Sequence, residues 1–234
     1  MSMPLSLSYR EIASVELFHD LHREALDEVL VRARCRVLAR GVRIFDQGDG
    51  PVRAHALIEG SVRIVQSGDS GEQIVVRFIG RGEIFGAVAL FTDRRYPADA
   101  ETLTDTIEVS WSETALSDLL ARYPGIAMNA LKIVGSRLQE AQNRLRELSR
   151  QPVERRVAHT LLRLSHQTGR MTEAGLMIDI PLRRKDIADV CGTTLHSASR
   201  ILTRWEKHGL LTTQDQRLIV LKLQDIRNIA DSTG

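Results

Sequence analysis

The sequence of 234 residues contains only two cysteines, Cys35 and Cys191. Two thiols do not form a disulfide framework, and an iron–sulfur cluster needs about four thiolate ligands. This scarcity excludes a chain that is held together by disulfides or that carries such a cluster. We therefore expect both cysteines to fill core space as small, buried side chains.

Long hydrophobic segments are also absent. No run of 18 apolar residues occurs, and the N-terminus lacks the basic-then-apolar pattern of a secretion signal. A membrane span would need such a run, so we expect a cytoplasmic protein without a membrane partner. The hydrophobic fraction of 43% and the charged fraction of 26% are typical of a soluble protein.

The sequence contains none of the common short motifs of catalysis. It has no phosphate-binding loop, no nucleophile elbow and no metal-ligand spacing, and its carboxylates do not cluster. The glycines of segment 80–86 lack the strand-to-helix context of a dinucleotide-binding loop. We therefore expect neither an enzyme nor a metal site.

Between Cys35 and Trp111 the sequence is typical of short strands. This segment holds nine of the 16 glycines, and many of them fall in turn pairs such as Glu59-Gly60. The β-rich runs are CRVLA, VRIF, HALIE, SVRIVQ, QIVVRFI and TIEVSW. Several short strands at this spacing predict an antiparallel sandwich or barrel. One or two helices are predicted for residues 14–33, and another begins at Ser112 and ends before Pro124.

A long helix with a narrow apolar seam is predicted next. Its apolar residues advance by alternating steps of four and three: Ala127, Leu131, Val134, Leu138, Ala141, Leu145 and Leu148. Beyond Leu138 nearly all other positions are polar. So narrow a seam is typical of pairing with a second copy of the same helix, which predicts a parallel dimer. The alternative is packing within the same chain. Residues 149–152 (SRQP) are expected to break the helix and to serve as a hinge.

Segment 185–211 has the pattern of two short helices joined by a tight turn. Ile187 and Ala188 supply apolar contacts on the first helix, Gly192 is suited to end it, and Thr194 is suited to cap the second. A buried stripe is predicted for Leu195, Ala198, Ile201, Leu202 and Trp205. The opposite face carries His196, Ser197, Ser199, Arg200, Thr203 and Arg204. This layout favours a helix-turn-helix that enters the DNA major groove, and the alternative is a helical hairpin with a solvated charged face.

The segment that follows strengthens the DNA-binding interpretation. After His208-Gly209, two apolar runs flank residues 214–216, which predicts a β-hairpin and hence a winged helix. Residues 151–234 carry 13 Lys and Arg against 9 Asp and Glu, a net charge of +4. Residues 1–150 carry 19 against 21, a net charge of −2. The basic surface therefore lies where phosphate binding requires it.

In this order of elements the sequence resembles the CRP/FNR family of bacterial transcription regulators over almost its whole length. GRGEIFGAVALF at 80–91 looks like the effector-pocket signature, and GTTLHSASRILTRWEKHGLL at 192–211 looks like the recognition helix. The resemblance implies an α+β fold: a β-roll domain at 1–122, of the jelly-roll, cyclic-nucleotide-binding-like kind, a dimerisation helix at 123–150 and a winged helix-turn-helix at 151–234. It also implies RNA polymerase as a partner.

The resemblance implies which residues contact an effector. The implied pocket residues are Gly82, Glu83, Phe85, Gly86, Ala87, Arg95 and Tyr96. RFIGRGEIFG, Arg95–Ala98 and Thr193–His196 are most similar to the branch that responds to nitric oxide and other nitrogen oxides. Dimer contacts are implied for Leu131, Val134, Leu138, Ala141, Leu145 and Leu148.

Departures from the family pattern narrow the choice of effector. Ala87 stands where cyclic-AMP-binding members have a Glu for the ribose, and Tyr96 replaces a Ser beside Arg95. We therefore do not expect cyclic AMP. No cysteine precedes Cys35, which excludes the oxygen-sensing mechanism of FNR. Haem, another small molecule or no effector remain open; haem needs an axial ligand such as His. The candidates are His19 and His22, three apart on a predicted helix face, and His55 at a strand start; each also suits an ordinary, hydrogen-bonded histidine.

The resemblance places Thr194 as the cap of the recognition helix and Leu195, His196, Ser199 and Arg200 near base edges. Arg200 suits guanine, because Arg pairs bidentately with O6 and N7; a salt bridge with Glu206 or a phosphate contact is the alternative. Many relatives carry a Glu where His196 stands. Phosphate contacts are expected from Arg183, Arg184, Lys185, Arg204 and Arg217.

We therefore expect a homodimeric transcription regulator that binds a near-palindromic DNA site and is controlled by a small effector at the β-roll. The alternative is a ligand-binding signalling module that acts on a protein partner. That module would share the β-roll but would not need residues 181–221.

Overall fold

A computed structural model describes residues 7–68 and 71–232. The chain divides into two compact units. The first comprises residues 1–73 and 78–139, and the second comprises residues 74–77 and 140–234. Within the described ranges, no helix is both long enough and apolar enough to cross a membrane.

The first unit is built on two antiparallel sheets, which confirms the predicted β-roll. The strands are β1 (Arg34–Leu38), β2 (Arg43–Phe45), β3 (Arg53–Glu59), β4 (Val62–Ser67), β5 (Gln73–Ile79), β6 (Ile84–Phe85), β7 (Asp99–Thr102) and β8 (Thr106–Ser112), and residues 74–77 of β5 belong to the second compact unit. One sheet has the order β1-β8-β3-β6 and the other has the order β2-β7-β4-β5. All six predicted β-rich runs form strands. The short β6 and β7 were not predicted.

Helices flank these sheets. They are α1 (Tyr9–Ala13), a 3-10 helix (Glu16–Phe18), α2 (Arg23–Val31), a second 3-10 helix (Ala87–Phe91) and α3 (Glu113–Arg122). The helical prediction for residues 14–33 holds only in part, because Asp20 adopts a φ of 59° and breaks the segment. The start of α3 is confirmed: the hydroxyl of Ser112 accepts a hydrogen bond from the N–H of Ala115 at 3.2 Å.

The core of the first unit centres on Trp111. This side chain is fully buried, and its indole N–H donates to the carbonyl of Val29 at 2.9 Å. The ring of Phe18 meets it edge-on at a centroid distance of 4.9 Å. The indole hydrogen bond satisfies the one polar atom that burial would otherwise leave unpaired.

Helix α4 (Pro124–Arg150) follows and has 27 residues. Its first turns bury Ile126 and Asn129 in the first unit. The amide of Asn129 donates to the carbonyls of Leu17 and His19 at 3.2 and 2.8 Å. The helix ends at Arg150, where residues 149–152 were expected to break it.

The second unit contains the predicted winged helix. Its elements are α5 (Val153–Thr168), β9 (Gly169–Thr172), β10 (Gly175–Ile178), α6 (Arg184–Cys191), α7 (Leu195–Lys207), β11 (Leu211–Gln214), β12 (Arg217–Val220) and α8 (Leu223–Asp231). The sheet order is β11-β12-β10-β9. The predicted hairpin is β11–β12, and its turn residues Asp215 and Gln216 both have positive φ, as a tight hairpin turn requires. Strands β9 and β10 were not predicted.

The two cysteines behave differently. Cys191 is buried, as expected, and burial raises the pKa of its thiol to about 11. Cys35 is only half-buried, because it lies on β1 at the edge of its sheet. Burial also raises the pKa of the Cys35 thiol, so both cysteines are protonated near neutral pH.

We predict that Phe18→Ala destabilises the protein by about 3–5 kcal/mol, because it leaves a cavity beside Trp111. Urea denaturation followed by circular dichroism measures this loss. Val37→Ala is the matched control, because Val37 lies on β1 with 61% of its side chain exposed, and we expect a change within about 0.5 kcal/mol. Equal effects of the two substitutions would contradict the assigned core.

Candidate nucleic-acid interface and effector segment

The turn between α6 and α7 has the geometry that its sequence predicts. Gly192 ends α6 in the left-handed conformation, with a φ of 62°. The hydroxyl of Thr194 accepts a hydrogen bond from the N–H of Ser197 at 3.2 Å, so Thr194 caps α7 as expected. A glycine C-cap and a threonine N-cap fix the tight turn of a helix-turn-helix.

One face of α7 is buried in the second unit, as predicted for Ala198, Ile201, Leu202 and Trp205. Leu195 was also placed in this buried stripe, and there the prediction was wrong, because Leu195 is 51% exposed. It is the first residue of α7, so its side chain lies beyond the packed part of the helix. Its exposure is consistent with the alternative expectation that it reaches a base.

The opposite face of α7 forms a shallow groove of about 460 Å³, lined by His196, Ser199, Arg200, Thr203, Arg204 and Lys207. Arg200 is exposed and makes no hydrogen bond or ion pair with the described residues. Glu206, its alternative partner, instead accepts from Arg184 at 2.8 Å and from Thr213 at 2.8 Å. The guanidinium of Arg200 is therefore available to a ligand.

The expected phosphate-binding residues are held by carboxylates of the same unit. Lys185 pairs with Asp189 at 2.8 Å, Arg204 with Glu154 at 2.5 Å and Arg217 with Asp179 at 2.9 Å. Arg183 and Arg184 are paired too, with Asp186 and Glu206. The pairs of Arg184, Arg204 and Arg217 are partly exposed on both sides and contribute little stability, so a phosphate can compete for these cations at small cost. The carboxylates of Asp186 and Asp189 are far less exposed, so Arg183 and Lys185 are held more firmly.

Helix α4 presents its heptad seam to solvent. Leu131, Val134, Leu138, Leu145 and Leu148 are between 42% and 67% exposed. Ile126 and Asn129 lie on the side of the helix that is already buried. The chain therefore covers one face of α4 and leaves a row of large apolar side chains on another.

The effector segment, residues 80–91, contains a glycine, Gly82, that cannot be replaced without strain. Gly82 has a φ of 82°, and a Cβ atom there would lie 2.7 Å from the carbonyl oxygen of Ser14. The segment is anchored by Glu16, whose N–H donates to the Gly82 carbonyl at 2.8 Å and whose carboxylate accepts from the N–H of Ile84 at 2.9 Å. The start of the signature is thus fixed to the 3-10 helix of residues 16–18.

Arg137 on α4 binds the same segment, and sequence reasoning missed it. Its guanidinium donates to the carboxylate of Glu16 at 2.8 Å and to the carbonyl of Ile84 at 2.5 Å. No motif marks this residue, because it lies among other polar positions beside the seam. The contact connects the effector segment directly to the helix that carries Leu138.

Three of the expected pocket residues meet around His55. Phe85 lies face to face with the imidazole at a centroid distance of 5.3 Å, and Tyr96 donates its hydroxyl to Nε2 at 3.0 Å. A Cβ atom on Gly86 would lie 2.9 Å from the His55 ring. Arg95 is exposed and donates to the carbonyl of Gly48 at 2.8 Å instead. Gly82 is hydrogen-bonded to Glu16, and Ala87 packs against the core that contains Phe85 and Tyr96.

His55 is part of a buried polar chain. Its Nδ1 donates to Glu108 at 2.5 Å, and Glu108 also accepts from Arg36 at 2.8 Å. Burial lowers the pKa of His55, although the hydrogen bond to Glu108 acts to raise it. Burial acts to raise the pKa of Glu108, but the hydrogen bonds from His55 and Arg36 outweigh it, and this pKa is lowered. A neutral imidazole beside a carboxylate follows, with Nε2 accepting from Tyr96.

The family resemblance left haem open, and the contacts of His55 do not favour this residue as an axial ligand. Both ring nitrogens of His55 are already hydrogen-bonded. The expectation that His19 and His22 share a helix face was wrong, because His19 ends the first 3-10 helix and His22 precedes α2. Over residues 7–68 and 71–232 no group of three or more His, Cys, Asp or Glu side chains could hold a metal ion.

Comparison with protein families matches both units. A profile for the cyclic nucleotide-binding domain matches residues 35–123, and a profile for the Crp-like helix-turn-helix domain matches residues 155–229. The first match contains the β-roll with its effector segment. The second contains the whole of α6, α7 and the β11–β12 hairpin.

Similar proteins span nearly the same length. The cyclic AMP receptor protein of Thermus thermophilus is 29% identical over 195 residues, which cover 83% of this chain and 87% of the relative. The transcriptional activator protein FnrA of Stutzerimonas stutzeri is 24% identical over 94% of this chain and 85% of the relative. The structure of FixK2 from Bradyrhizobium japonicum superposes with a TM-score of 0.74 at 21% identity, covering 86% of this chain and 99% of that one; at this identity the likeness shows the fold.

We predict that Arg200→Ala weakens binding to the preferred DNA site by about 1–3 kcal/mol and relaxes the preference at one base pair. The reason is the loss of a bidentate contact with guanine. Fluorescence anisotropy with the selected site, with point variants of that site and with random DNA measures both effects.

Arg227→Ala is the control, because Arg227 is an exposed arginine on α8, outside the groove. It should leave the base preference unchanged. Equal losses on selected and random DNA for Arg200→Ala would refute a base contact.

Proposed function

We propose that this chain, a DNA-binding transcription regulator of the CRP/FNR type with an effector-binding β-roll, acts as a homodimer on a near-palindromic site. Its protein partner in transcription is RNA polymerase. The recognition helix is α7, with His196, Ser199 and Arg200 at base edges and Leu195 available for an apolar base contact. Lys185, Arg204 and Arg217 exchange their carboxylate partners for phosphates.

The observation that carries this proposal is the arrangement of α7. A capped helix buries Ala198 and Trp205 and presents Arg200, free of any partner among the described residues, on a face lined with donors and acceptors. A signalling module that acts on a protein partner would not need such a helix, a wing and an exposed arginine without an ion-pair partner together. DNA is the polymer whose groove and charge match all three.

Dimerisation is proposed through the exposed seam of α4. Five large apolar side chains in heptad register would remain in water in a single chain, and a parallel copy buries them by knobs-into-holes packing. A symmetric pair places two copies of α7 against one duplex. The binding site is then two half-sites related by a twofold axis.

Control by the effector is proposed to pass through Arg137. An occupant that shifts Ile84 or Glu16 changes their bonds to this arginine, and Arg137 lies one residue before the seam position Leu138. Such a ligand shifts a two-state equilibrium only as far as its affinities for the two states differ.

Two kinds of sequence observation bear on the identity of the effector: substitutions that disfavour cyclic AMP, and motifs that favour one branch of the family. The Thermus relative is named for cyclic AMP, but Ala87 and Tyr96 here replace the side chains that would hold the ribose and the cyclic phosphate. RFIGRGEIFG and Thr193–His196 favour the branch that responds to nitrogen oxides. The geometry of His55 gives no support for haem as the mediator of that response.

We predict that Leu138→Glu converts the dimer to a monomer, because each chain would bury a carboxylate in the seam at a cost of about 3–5 kcal/mol. Sedimentation velocity measures the association. Gln142→Glu adds the same charge four residues further on, outside the seam, and should leave the dimer intact. Dimers of equal strength in both variants would contradict the seam.

We further predict that the half-site differs from that of glutamate-bearing relatives at the base pair facing His196. A neutral imidazole offers one donor and one acceptor, whereas a carboxylate only accepts, as from cytosine N4. His196→Glu should therefore restore a preference for cytosine at that position. Selection from randomised DNA with both proteins measures the change, and identical selected sites would contradict the contact.

A further inference from the structure

The β-roll contains a cavity of about 170 Å³, and none of its lining residues belongs to the effector segment at 80–91. Three arginines line it, Arg34 and Arg36 on β1 and Arg53 on β3, together with the hydroxyl of Ser110 on β8. Tyr96 is one of the effector residues predicted from the sequence. The other lining residues lie outside the signature at 80–91 and outside residues 95–98.

Strand register brings the polar side chains together. In the β1–β8 ladder Arg34 is opposite Ser110 and Arg36 is opposite Glu108, and in the β3–β8 ladder His55 is opposite Ser110. Because side chains alternate along a strand, these five residues share one face of the sheet. The other face carries Trp111, which packs against Phe18. The cluster is therefore built into the sheet and does not depend on a loop.

The cavity carries a surplus of positive charge. Arg36 is neutralised by Glu108, and Asp49 places a second carboxylate on the lining. The guanidinium of Arg53 donates to the Ser110 hydroxyl and carbonyl, each at 3.1 Å. Arg34 has no hydrogen bond or ion pair with the described residues. Three guanidinium groups against two carboxylates leave a net charge of +1.

An apolar wall completes the cavity. Phe45 stacks on Tyr96 with ring centroids 3.7 Å apart and planes within 7° of parallel, and Ile44 and Pro51 lie beside them. A cavity of about 150 Å³ is large enough for one benzene ring. Guanidinium groups bind carboxylates and phosphates through paired N–H donors.

We propose that this cavity binds a small organic oxyanion, a carboxylate or phosphate attached to an apolar body of about one ring. The oxyanion lies between Arg34, Arg53 and the Ser110 hydroxyl, and the apolar body lies against Phe45. Its occupant touches Tyr96, which is hydrogen-bonded to His55 beside Phe85. A role as the regulator's effector site rests on the proposed function; binding of the anion does not.

The test is isothermal titration calorimetry of the full chain with benzoate, inorganic phosphate and benzamide, the neutral counterpart of benzoate. We expect saturable binding of at least one of the two anions. If benzoate binds, the affinity for benzamide should be lower than that for benzoate by about tenfold or more. Which anion binds identifies the preferred oxyanion. Absence of saturable binding for both would overturn the proposal.

Arg34 provides the variant, because its side chain is exposed and makes no hydrogen bond or ion pair with the described residues. Arg34→Glu should weaken anion binding by about tenfold or more. Arg34→Lys keeps the charge but loses the paired N–H donors of the guanidinium, so its affinity for the anion should lie between those of Arg34→Glu and the native chain. Arg23→Glu is the matched control, because Arg23 is an exposed arginine of the same unit outside the cavity; it should bind like the native chain. Equal binding by Arg34→Glu would overturn the proposal.

Gel-shift titration of the same preparations separates this site from the proposed function. A chain that binds its selected DNA but neither anion overturns the anion site alone. A chain that binds an anion through Arg34 but shows no DNA preference supports the anion site and overturns the proposed function.

Discussion

A helix has a limited surface, and α4 divides its surface between two partners. One face is committed to the first unit through Ile126 and the buried amide of Asn129. On the heptad face, the described part of the chain leaves Leu131, Leu138 and Leu145 between 59% and 67% exposed. The hydrophobic effect makes that exposure costly, and a second α4 is the surface that matches its 3.5-residue repeat. The proposed pairing, the spacing of the recognition helices and the symmetry of the DNA site all depend on this one seam.

Beside the seam, the polar contacts of α4 give it a second role. Arg137 binds both Glu16 and the carbonyl of Ile84, so the same helix that is proposed to hold the dimer together also holds the effector segment. The buried chain Arg36–Glu108–His55–Tyr96 lies on the far side of that segment. Within the first unit, continuous packing therefore joins the arginine-lined cavity, the segment around Phe85 and α4. This packing is the physical route by which a bound anion would act on α4, the proposed dimer helix.

Sequence patterns predicted the elements whose formation depends on local chemistry. The caps at Gly192 and Thr194, the hairpin before Arg217 and the heptad helix all follow from residue type and spacing, and each is present. The short β6 and β7 were missed because two to four residues carry too little periodicity, and Leu195 was misplaced because a helix terminus lies beyond the packed face.

Long-range pairing was the part that the sequence could not supply. Arg36, Glu108 and His55 are far apart in the chain and meet only through strand register. Nothing local distinguishes Arg137 from its polar neighbours, or Arg200 from cations such as Arg204 that pair with a carboxylate. Which arginine is free is decided by the folded unit, since the carboxylate partners of Arg184, Arg204 and Arg217 come from other elements.

The most direct test of the account is the stoichiometry of the regulator on DNA. Native mass spectrometry of the complex with a selected duplex resolves the number of 26.2-kDa chains per duplex. We expect two chains on each duplex, bound to half-sites that are related by a twofold axis. One chain per duplex, with full affinity for a single half-site, would contradict it.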